Sequence, residues 1–149
     1  MAHSFTNLLY HIVFTTKDRK AMLKPLVTER LYAYLGGSIR QNGGTALAVN
    51  GTANHVHILA KLRQDKTVSD VLRGIKANAS RWLHQTFPTH ASFAWQSGYG
   101  AFTVSASQVE RVRRYIAEQE THHRTMTFEE EWAAILKAHG IAFDAESWR

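Results

Sequence analysis

The sequence predicts an α+β protein built on a ferredoxin-like β-α-β-β-α-β antiparallel sheet, with a tyrosine-bearing helix and a tail helix added after it. Two observations lead to this prediction. Strand-like and helix-like segments follow one another in that order, and 149 residues with 44% hydrophobic and 20% charged side chains fit one compact domain. We therefore expect a single domain over residues 1–149, with the sheet-containing body over 1–105 and the C-terminal helices over 106–149.

The first half of the chain supplies one strand, one helix and a hairpin. Residues 8–16 are dense in β-branched and aromatic side chains, which is typical of a largely buried strand. Pro25 suits the first turn of a helix, whose apolar residues recur at helical spacing until the Asn-Gly-Gly run at 42–44 ends it. Two strand-like runs, at 45–50 and 55–62, flank a short glycine-containing turn, which indicates an antiparallel hairpin.

The next segment completes the sheet. Apolar residues from Val68 to Leu83 form one continuous helical stripe opposite a polar and basic face, and Pro88 ends the segment. Between residues 99 and 104, side chains alternate in the pattern of a strand. This run is the last strand of the predicted sheet.

Two helices are expected beyond the sheet. Ser107 and Glu110 have the spacing of a capping box, in which the serine accepts from free backbone amides and the glutamate returns the contact. Thr127 and Glu130 have the same spacing and predict the start of a final helix. We expect this last helix to end at the His-Gly pair 139–140.

The charge of the chain is unevenly distributed. A net charge of +6 arises from 18 Lys and Arg residues against 12 Asp and Glu residues. Residues 1–109 carry 12 basic and 4 acidic side chains, whereas residues 110–149 carry 6 basic and 8 acidic ones. A basic body of this kind indicates a polyanionic partner on the first part of the chain.

Cysteine is absent from the chain, which excludes disulfides, thiolate zinc sites and cysteine nucleophiles. Any metal must therefore be held by histidine, carboxylate or amide oxygen. The longest apolar runs, such as residues 12–14, fall far short of the roughly 20 residues that span a bilayer, and no signal-peptide pattern follows the first Met. We expect a soluble, cytoplasmic protein with no membrane partner.

A His-x-His pattern lies on the second strand of the hairpin. Because side chains alternate along a strand, His55 and His57 share one face, and the aliphatic residues between and after them share the other. If helices cover the aliphatic face, both imidazoles stand on the open face and are spaced to share one ion. The alternative is a pair of exposed or core histidines without a ligand.

The helix that begins near Ser107 offers further polar candidates, and we expect it to run to about residue 121. Tyr115 and Gln119 are four residues apart and therefore lie on one helical face. An amide oxygen is a hard ligand that suits Mg²⁺ or Mn²⁺. The alternative is an ordinary surface helix in which Tyr115 packs by its ring and Gln119 is solvated.

Three stretches together resemble one known family. The strand motif at 54–58, the stretch at 95–102 and the helix at 112–123 closely resemble the single-tyrosine HUH transposases, the small single-strand DNA transposases of bacterial insertion sequences. The chain is also similar to the REP-associated tyrosine transposases. The resemblance covers nearly the whole chain and implies one HUH transposase domain over residues 1–149.

The resemblance implies a role for each matching residue. His55 and His57 match the histidines that bind the divalent cation, Mg²⁺ or Mn²⁺, and Gln119 matches the third ligand. Tyr115 matches the nucleophile. Asn54 stands where many relatives have Asp, which removes a charge beside the metal site.

The resemblance also implies a reaction and partners. The tyrosine attacks a phosphate of single-stranded DNA at hairpin-marked ends, which leaves a 5′-phosphotyrosine and a free 3′-OH, and a later 3′-OH rejoins the strand without ATP. Such proteins act as homodimers in which the tyrosine helix of one subunit faces the histidines of the other. The alternatives are a domesticated relative that cleaves chromosomal repeats and a non-catalytic module that binds single-stranded DNA by basic and aromatic side chains.

Four residues are candidates for DNA contact. Arg73 and Lys76 lie on the polar face of the second helix, and Lys17 follows the first strand. Either these cations form plain solvated surfaces, or they contact phosphates, which the basic body favours. Tyr99 is the rival nucleophile, and its place in a glycine-flanked strand indicates a structural or DNA-contacting role.

Three other histidines lie near these motifs in the sequence. We expect His11, on the first strand, to be a buried core histidine, and His122 and His123 to be solvated at the end of the tyrosine helix.

Overall fold

The computed structural model describes residues 3–143 and contains one antiparallel sheet with helices on both faces. The strands are β1 (Leu8–Thr15), β2 (Thr45–Gly51), β3 (His55–Leu62) and β4 (Gly100–Thr103). The helices that connect them are α1 (Pro25–Gln41) and α2 (Val68–Thr86). The strand order across the sheet is β2-β3-β1-β4, and the order along the chain is β-α-β-β-α-β, so the ferredoxin-like α+β prediction is confirmed.

Within residues 3–143, three α-helices follow the sheet. They are α3 (Val109–Ala117), α4 (Gln119–His122) and α5 (Phe128–Ala138). The expectation of one continuous helix to about residue 121 is wrong in one respect, because the backbone of Glu118 (φ −100°, ψ 18°) interrupts it. None of the helices between residues 3 and 143 has the length and apolar composition needed to cross a membrane. Residues 144–149 of the predicted domain lie outside the described residues.

The predicted capping box at Ser107 is wrong. A turn of 3-10 helix precedes α3, so Ser107 lies inside a helical turn, and Gln108 is the N-cap without a side-chain cap bond. The hydroxyl of Ser107 lies 3.1 Å from that of Ser105. The Glu110 carboxylate pairs instead with Arg113 at 3.4 Å.

The predicted capping box at the start of α5 is confirmed. The Thr127 hydroxyl accepts from the amide of Glu130 at 3.1 Å, and the Glu130 carboxylate accepts from the amide of Thr127 at 3.1 Å. An N-cap of this kind stabilises a helix by about 1 kcal/mol. His139 is the C-cap and Gly140 follows with φ +69°, as expected for the end of the helix.

The two faces of the sheet carry separate apolar clusters. The larger cluster fills the space between the sheet and the pair α1 and α2, and it includes Ile12, Phe14, Val56 and Ile58. The smaller cluster lies under α5, where Val13 and Phe102 meet Phe128 and Leu136. Helix α3 packs on β2 and β3, and the Asn50 side chain of β2 donates to the backbone oxygen of Ile116 at 3.0 Å. The face that carries the β3 histidines is therefore covered by the C-terminal helices.

Candidate active site

Two histidines on the central strand β3 form the core of the candidate site. His55 and His57 lie on the sheet face opposite Val56 and Ile58, as the alternation along a strand predicts. Both imidazoles are fully buried beneath the C-terminal helices, so the expectation of an open face is wrong. Their Nε2 atoms lie 3.3 Å and 3.1 Å from the same oxygen, Oε1 of Glu131.

Side-chain contacts determine which tautomer the neutral His55 ring adopts. Its Nδ1 atom lies 2.8 Å from Oδ1 of Asn54 and 2.9 Å from the hydroxyl of Thr52. The amide nitrogen of Asn54 donates to the backbone oxygen of Arg19, so its other atom, an oxygen that can only accept, faces the imidazole. In the neutral ring, the single N–H of His55 is therefore on Nδ1, and Nε2 carries the lone pair that a metal ligand needs.

The end of α3 and the start of α4 bring Tyr115 and Gln119 to the same point. Gln119 is fully buried, and its Oε1 atom lies 3.0 Å from Nε2 of His55. Its Nε2 atom donates to Oε2 of Glu131 at 2.9 Å, and the Tyr115 hydroxyl donates to the same oxygen. Within one chain, Tyr115 and Gln119 thus meet the histidines of β3 around a single carboxylate.

Sequence reasoning missed Glu131, although it lies at the centre of these contacts. Three consecutive glutamates, at 129–131, open α5, and Glu131 is the buried one, with 1% of its surface exposed. It is three residues after Phe128 and four before Ile135, so it lies on the apolar stripe that faces the sheet. A carboxylate on the apolar stripe of a helix is the signal in the sequence that could have found it.

The histidines after α3 are less solvated than expected. His123 has only 13% of its side chain exposed, and its Nε2 atom lies 3.0 Å from Oε1 of Glu131. The expectation of a solvated helix end is wrong for this residue. The ring of His122 stacks on that of Tyr115 with 4.7 Å between the centroids. Both histidines therefore help to enclose the site.

His11 on β1 lies behind His57, and it is buried as expected. Its Nε2 atom is 2.8 Å from Nδ1 of His57, and the two rings stack with 5.0 Å between their centroids. Burial, together with the neighbouring His57, lowers the pKa of His11 to about 3. His11 is therefore neutral at physiological pH and can either donate to or accept from His57.

The ligand atoms of the site fit a divalent cation. One atom each from His55, His57 and Glu131 lies within 4.8 Å of the others, so that one ion can contact all three. The amide oxygen of Gln119 lies beside them. Imidazole nitrogen with carboxylate and amide oxygen is a donor set that accepts hard ions such as Mg²⁺ and Mn²⁺.

The electrostatics of the site keep its acid ionised and its phenol protonated. Burial alone raises the pKa of Glu131, but the hydrogen bonds with His57 and Tyr115 outweigh burial and hold this pKa well below its ordinary value. Burial and the neighbouring carboxylate of Glu131 raise the pKa of Tyr115 above its ordinary value. Burial also lowers the pKa of His57, which is neutral at physiological pH.

Several cavities border the site, and two of them lie on either side of α5. One, of about 550 Å³, lies between β4, α3 and α5 and is lined in part by Tyr115 and Glu131. The other, of about 380 Å³, lies on the far side of α5 and is lined in part by Arg19, Tyr99 and Trp132. Volumes of this size accommodate a nucleotide.

The loop before β4 carries Tyr99 and is held in place by Lys76. The Lys76 ammonium donates to the backbone oxygens of Gln96 at 2.9 Å and Gly98 at 2.6 Å. Burial lowers the pKa of Lys76 to about 8. Tyr99 itself is 40% exposed beside the smaller cavity. Lys76 thus positions the loop that presents Tyr99.

The other two cations predicted to contact DNA lie on different parts of the surface. Lys17 is exposed just after β1, at the end of the sheet where Thr15 pairs with His55. Arg73 lies on α2, on the sheet face opposite the histidines, and pairs with Asp70 at 3.0 Å. The structure therefore brings Lys17, but not Arg73, to the end of the sheet that holds the site.

Comparison with known proteins gives a consistent result. Residues 4–119 match the protein-family model described as "Transposase IS200 like". The chain is similar to the ISDra2 transposase TnpA of Deinococcus radiodurans, with 24% identity over 117 residues that cover 75% of this chain and 84% of that protein. Glu131 lies beyond the residues that the family model matches.

Two solved structures share the fold. A putative transposase from Deinococcus radiodurans R1 matches with a TM-score of 0.64 and 24% identity, covering 80% of this chain and 95% of that one. The REP-associated tyrosine transposase bound to a REP hairpin matches with a TM-score of 0.60 and 15% identity, covering 83% of this chain and 72% of that one.

Proposed function

Since this chain belongs to the IS200-like transposase family, we propose that it nicks single-stranded DNA at hairpin-marked ends and rejoins it through a covalent link to Tyr115. Membership of the family implies DNA cleavage and strand transfer. The proposal adds the form of the substrate, the nucleophile and the metal.

The observation that supports it best is the meeting of a tyrosine hydroxyl and two histidine nitrogens at one carboxylate. Oε1 of Glu131 lies 3.1 Å from Nε2 of His57, and its Oε2 accepts from the Tyr115 hydroxyl. A nucleophile and a cation placed this close can act on the same phosphate group.

We assign the metal to Nε2 of His55, Nε2 of His57 and Oε1 of Gln119, with Mg²⁺ or Mn²⁺ as the ion. When bound, such a cation polarises the scissile phosphate and stabilises the charge that develops on its oxygens. The reaction needs this cation because the pKa of Tyr115 is raised, and a protonated phenol is a weak nucleophile.

The chain's own residues then perform a transesterification. Oη of Tyr115 forms a bond to phosphorus as the bond from phosphorus to the 3′ oxygen breaks, which gives a 5′-phosphotyrosine and a free 3′-OH. The phenol proton passes to Oε2 of Glu131, which accepts from the Tyr115 hydroxyl, and the departing 3′ oxygen takes up a proton from water. Because the phosphotyrosine retains a phosphodiester bond, attack by a 3′-OH reverses the step without ATP.

A DNA partner is supported by charge and by shape. Residues 1–109 carry an excess of basic side chains, and a cavity of about 550 Å³ reaches the Tyr115 side chain. The structural neighbour that binds a REP hairpin has the same fold. We propose that folded single-stranded DNA lies across this end of the sheet, with its scissile phosphate between Tyr115 and the β3 histidines.

The resemblance to the family implies a homodimer with shared sites, and this assembly remains part of the proposal. Within the described chain, the Tyr115 ring lies 5.9 Å from that of His57, and Gln119 contacts His55 of the same chain. A shared site therefore requires α3 to leave β2 and to break the bond between Asn50 and Ile116. Mixing the inactive variants His57→Ala and Tyr115→Phe distinguishes the two arrangements: recovered cleavage indicates shared sites, and continued inactivity indicates sites within one chain.

A covalent-adduct experiment tests the function. The protein is incubated with Mn²⁺ and a library of labelled single-stranded oligonucleotides, each with one stable hairpin flanked by randomised bases. We expect a protein–DNA adduct that survives denaturation, and we expect Tyr115→Phe to abolish it while DNA binding persists, because only the attacking oxygen is removed.

Tyr99→Phe is the matched control, since it removes the hydroxyl of the rival tyrosine beside the site. It should form the adduct as the wild type does. An adduct that persists in Tyr115→Phe would contradict the choice of nucleophile. If the wild type and both variants bind the hairpin but none of them forms an adduct, the non-catalytic binding module is favoured instead.

A further inference from the structure

We propose that Glu131 is an additional ligand of the divalent cation through Oε1, and that its Oε2 atom ties the cation to the nucleophile. This inference rests on the metal-dependent function proposed above. It adds a carboxylate from α5 to the ligands His55, His57 and Gln119.

The distances place the carboxylate among the other ligand atoms. Oε1 of Glu131 lies 3.3 Å from Nε2 of His55 and 3.1 Å from Nε2 of His57. Oε1 of Gln119 lies 3.0 Å from Nε2 of His55. Atoms that share one ion at bonds of about 2.0–2.2 Å are about 3 Å apart, which is the spacing observed.

The protons available to His55 support a cation at this point. Its Nδ1 atom donates a hydrogen bond to Oδ1 of Asn54, so the neutral ring has no proton on Nε2. That lone pair nevertheless faces two oxygen acceptors, those of Gln119 and Glu131. A cation among the three atoms turns these opposed lone pairs into a set of ligands.

Charge gives a third reason. His55, His57 and Gln119 are neutral ligands when they bind a metal, so they do not balance a divalent cation in a buried site. Glu131 is 1% exposed, and a buried carboxylate is costly unless a positive charge compensates it. A cation bound to Glu131 compensates the charge of the carboxylate, and the carboxylate lowers the net positive charge of the site. Asn54 is neutral and adds no charge beside the site, so the negative charge of Glu131 is not duplicated at that position.

Helix α5 holds Glu131 rigidly in this position. The ring of Phe128 packs on His55 with 4.7 Å between the centroids, and Trp132 packs on Phe102 at 5.9 Å. The capping box at Thr127 fixes the first turn. A ligand on a helix packed in this way needs little reorganisation to bind.

The second oxygen of Glu131 gives it a further role. Oε2 accepts from the Tyr115 hydroxyl and from the amide of Gln119. If Oε1 binds the cation, Oε2 holds the attacking oxygen beside it. Glu131 therefore sets the separation between the cation and the nucleophile.

The test measures metal binding without DNA. Mn²⁺ is titrated into the full chain, and free ion is quantified by electron paramagnetic resonance. We expect Glu131→Gln, which keeps the size but not the charge of the side chain, to weaken Mn²⁺ binding by at least about tenfold. Glu129→Gln is the matched control, because Glu129 pairs with Arg19 outside the site, and it should bind Mn²⁺ as the wild type does.

Each other result has a defined meaning. Unchanged or tighter Mn²⁺ binding by Glu131→Gln would overturn the proposal and indicate that the carboxylate competes with the ion for the histidines. Absence of Mn²⁺ binding in the wild type would overturn it as well. Melting curves in EDTA show whether Glu131→Gln folds. If it does not fold, Glu131→Asp replaces it, and this variant should bind Mn²⁺ more weakly than the wild type, because the shorter side chain holds the carboxylate farther from the histidines.

The two proposals can fail separately. Mn²⁺ binding that depends on Glu131, without any DNA adduct, supports the ligand and contradicts the cleavage function. If the wild type forms an adduct at Tyr115 and Glu131→Gln binds Mn²⁺ as tightly as the wild type, the function is supported and the assignment of Glu131 as a ligand is contradicted.

Discussion

The Nε2 atom of His11 lies 2.8 Å from the Nδ1 atom of His57, so that a buried histidine on β1 supports from behind a histidine that faces the candidate metal site. A neutral imidazole has one donor and one acceptor nitrogen. When Nε2 of His57 binds a metal, its proton lies on Nδ1 and is donated to His11. When Nε2 instead donates to Glu131, Nδ1 accepts from His11. In both states, each ring nitrogen of His57 therefore has a partner.

This pair predicts a pH-dependent stability in the metal-free protein. The pKa of His11 is about 3 in the folded chain and 6.5 in an unperturbed side chain, so below pH 6.5 the unfolded state binds the extra proton. The free energy of unfolding therefore falls as the pH falls from 6.5 towards 3, by up to about 1.4 kcal/mol per pH unit for this one group. His57, whose pKa is also lowered, acts in the same direction.

His11→Gln keeps a donor and an acceptor beside His57 but does not titrate. Urea unfolding in EDTA, measured from about pH 7.5 to about pH 5, should show a shallower loss of stability for this variant than for the wild type. A slope equal to that of the wild type would show that His11 is not held neutral by its surroundings. Equal melting temperatures near neutral pH would establish that the variant folds normally.

A second prediction concerns the close approach of β4 and α5. A Cβ atom on Gly100 would lie 2.3 Å from Cη2 of Trp132, which is closer than atoms can approach. Gly100→Ala should therefore push α5 from the sheet and lower the free energy of unfolding by about 1–3 kcal/mol, as overpacking does. Because α5 carries Glu131, Mn²⁺ affinity should fall together with stability.

Gly74→Ala is the control for the alanine itself. A Cβ at Gly74, within α2, meets no atom within 4 Å. Alanine there should stabilise the helix by about 0.5–1 kcal/mol, because glycine loses more backbone entropy on folding. Thermal melts of both variants give the comparison, and a Gly100→Ala protein as stable as the wild type would contradict the packing of Trp132 described above.

A third prediction concerns the cations proposed to contact DNA. A cation that contacts one phosphate of single-stranded DNA contributes about 0.7 to the slope of log affinity against log salt. Lys17→Gln should reduce this slope by about that amount and weaken binding of all hairpin sequences alike. Arg73→Gln should do the same if the DNA continues around the sheet to α2, and an unchanged slope would remove Arg73 from the interface.

Arg63→Gln is the matched control for these variants. Arg63 pairs with Asp65 just after β3, at the end of the strand opposite His55. Its replacement should leave the salt slope unchanged. A loss in Arg63→Gln equal to that in Lys17→Gln would mean that the binding is a general effect of net charge. Fluorescence anisotropy with a labelled hairpin over a range of salt concentrations measures all three.

Local signals in the sequence predicted most of the fold. Strand and helix periodicity has a range of a few residues, and it identified the sheet elements and the capping box at Thr127. It failed at Ser107, because a preceding helical turn, which is not visible in the spacing, moved the start of α3 to Val109. It also missed the break at Glu118, since two short helices and one longer helix have nearly the same apolar pattern.

By itself, the sequence determined which residues share a face: the period of a strand puts His55 and His57 together, and the period of a helix does the same for Tyr115 and Gln119. Only the tertiary structure decided what meets them. His11 and Glu131 lie 46 and 74 residues from His57 along the chain, and they reach it because β1 pairs with β3 and α5 packs across the sheet. Contacts over such separations depend on how whole elements pack, which no local period records.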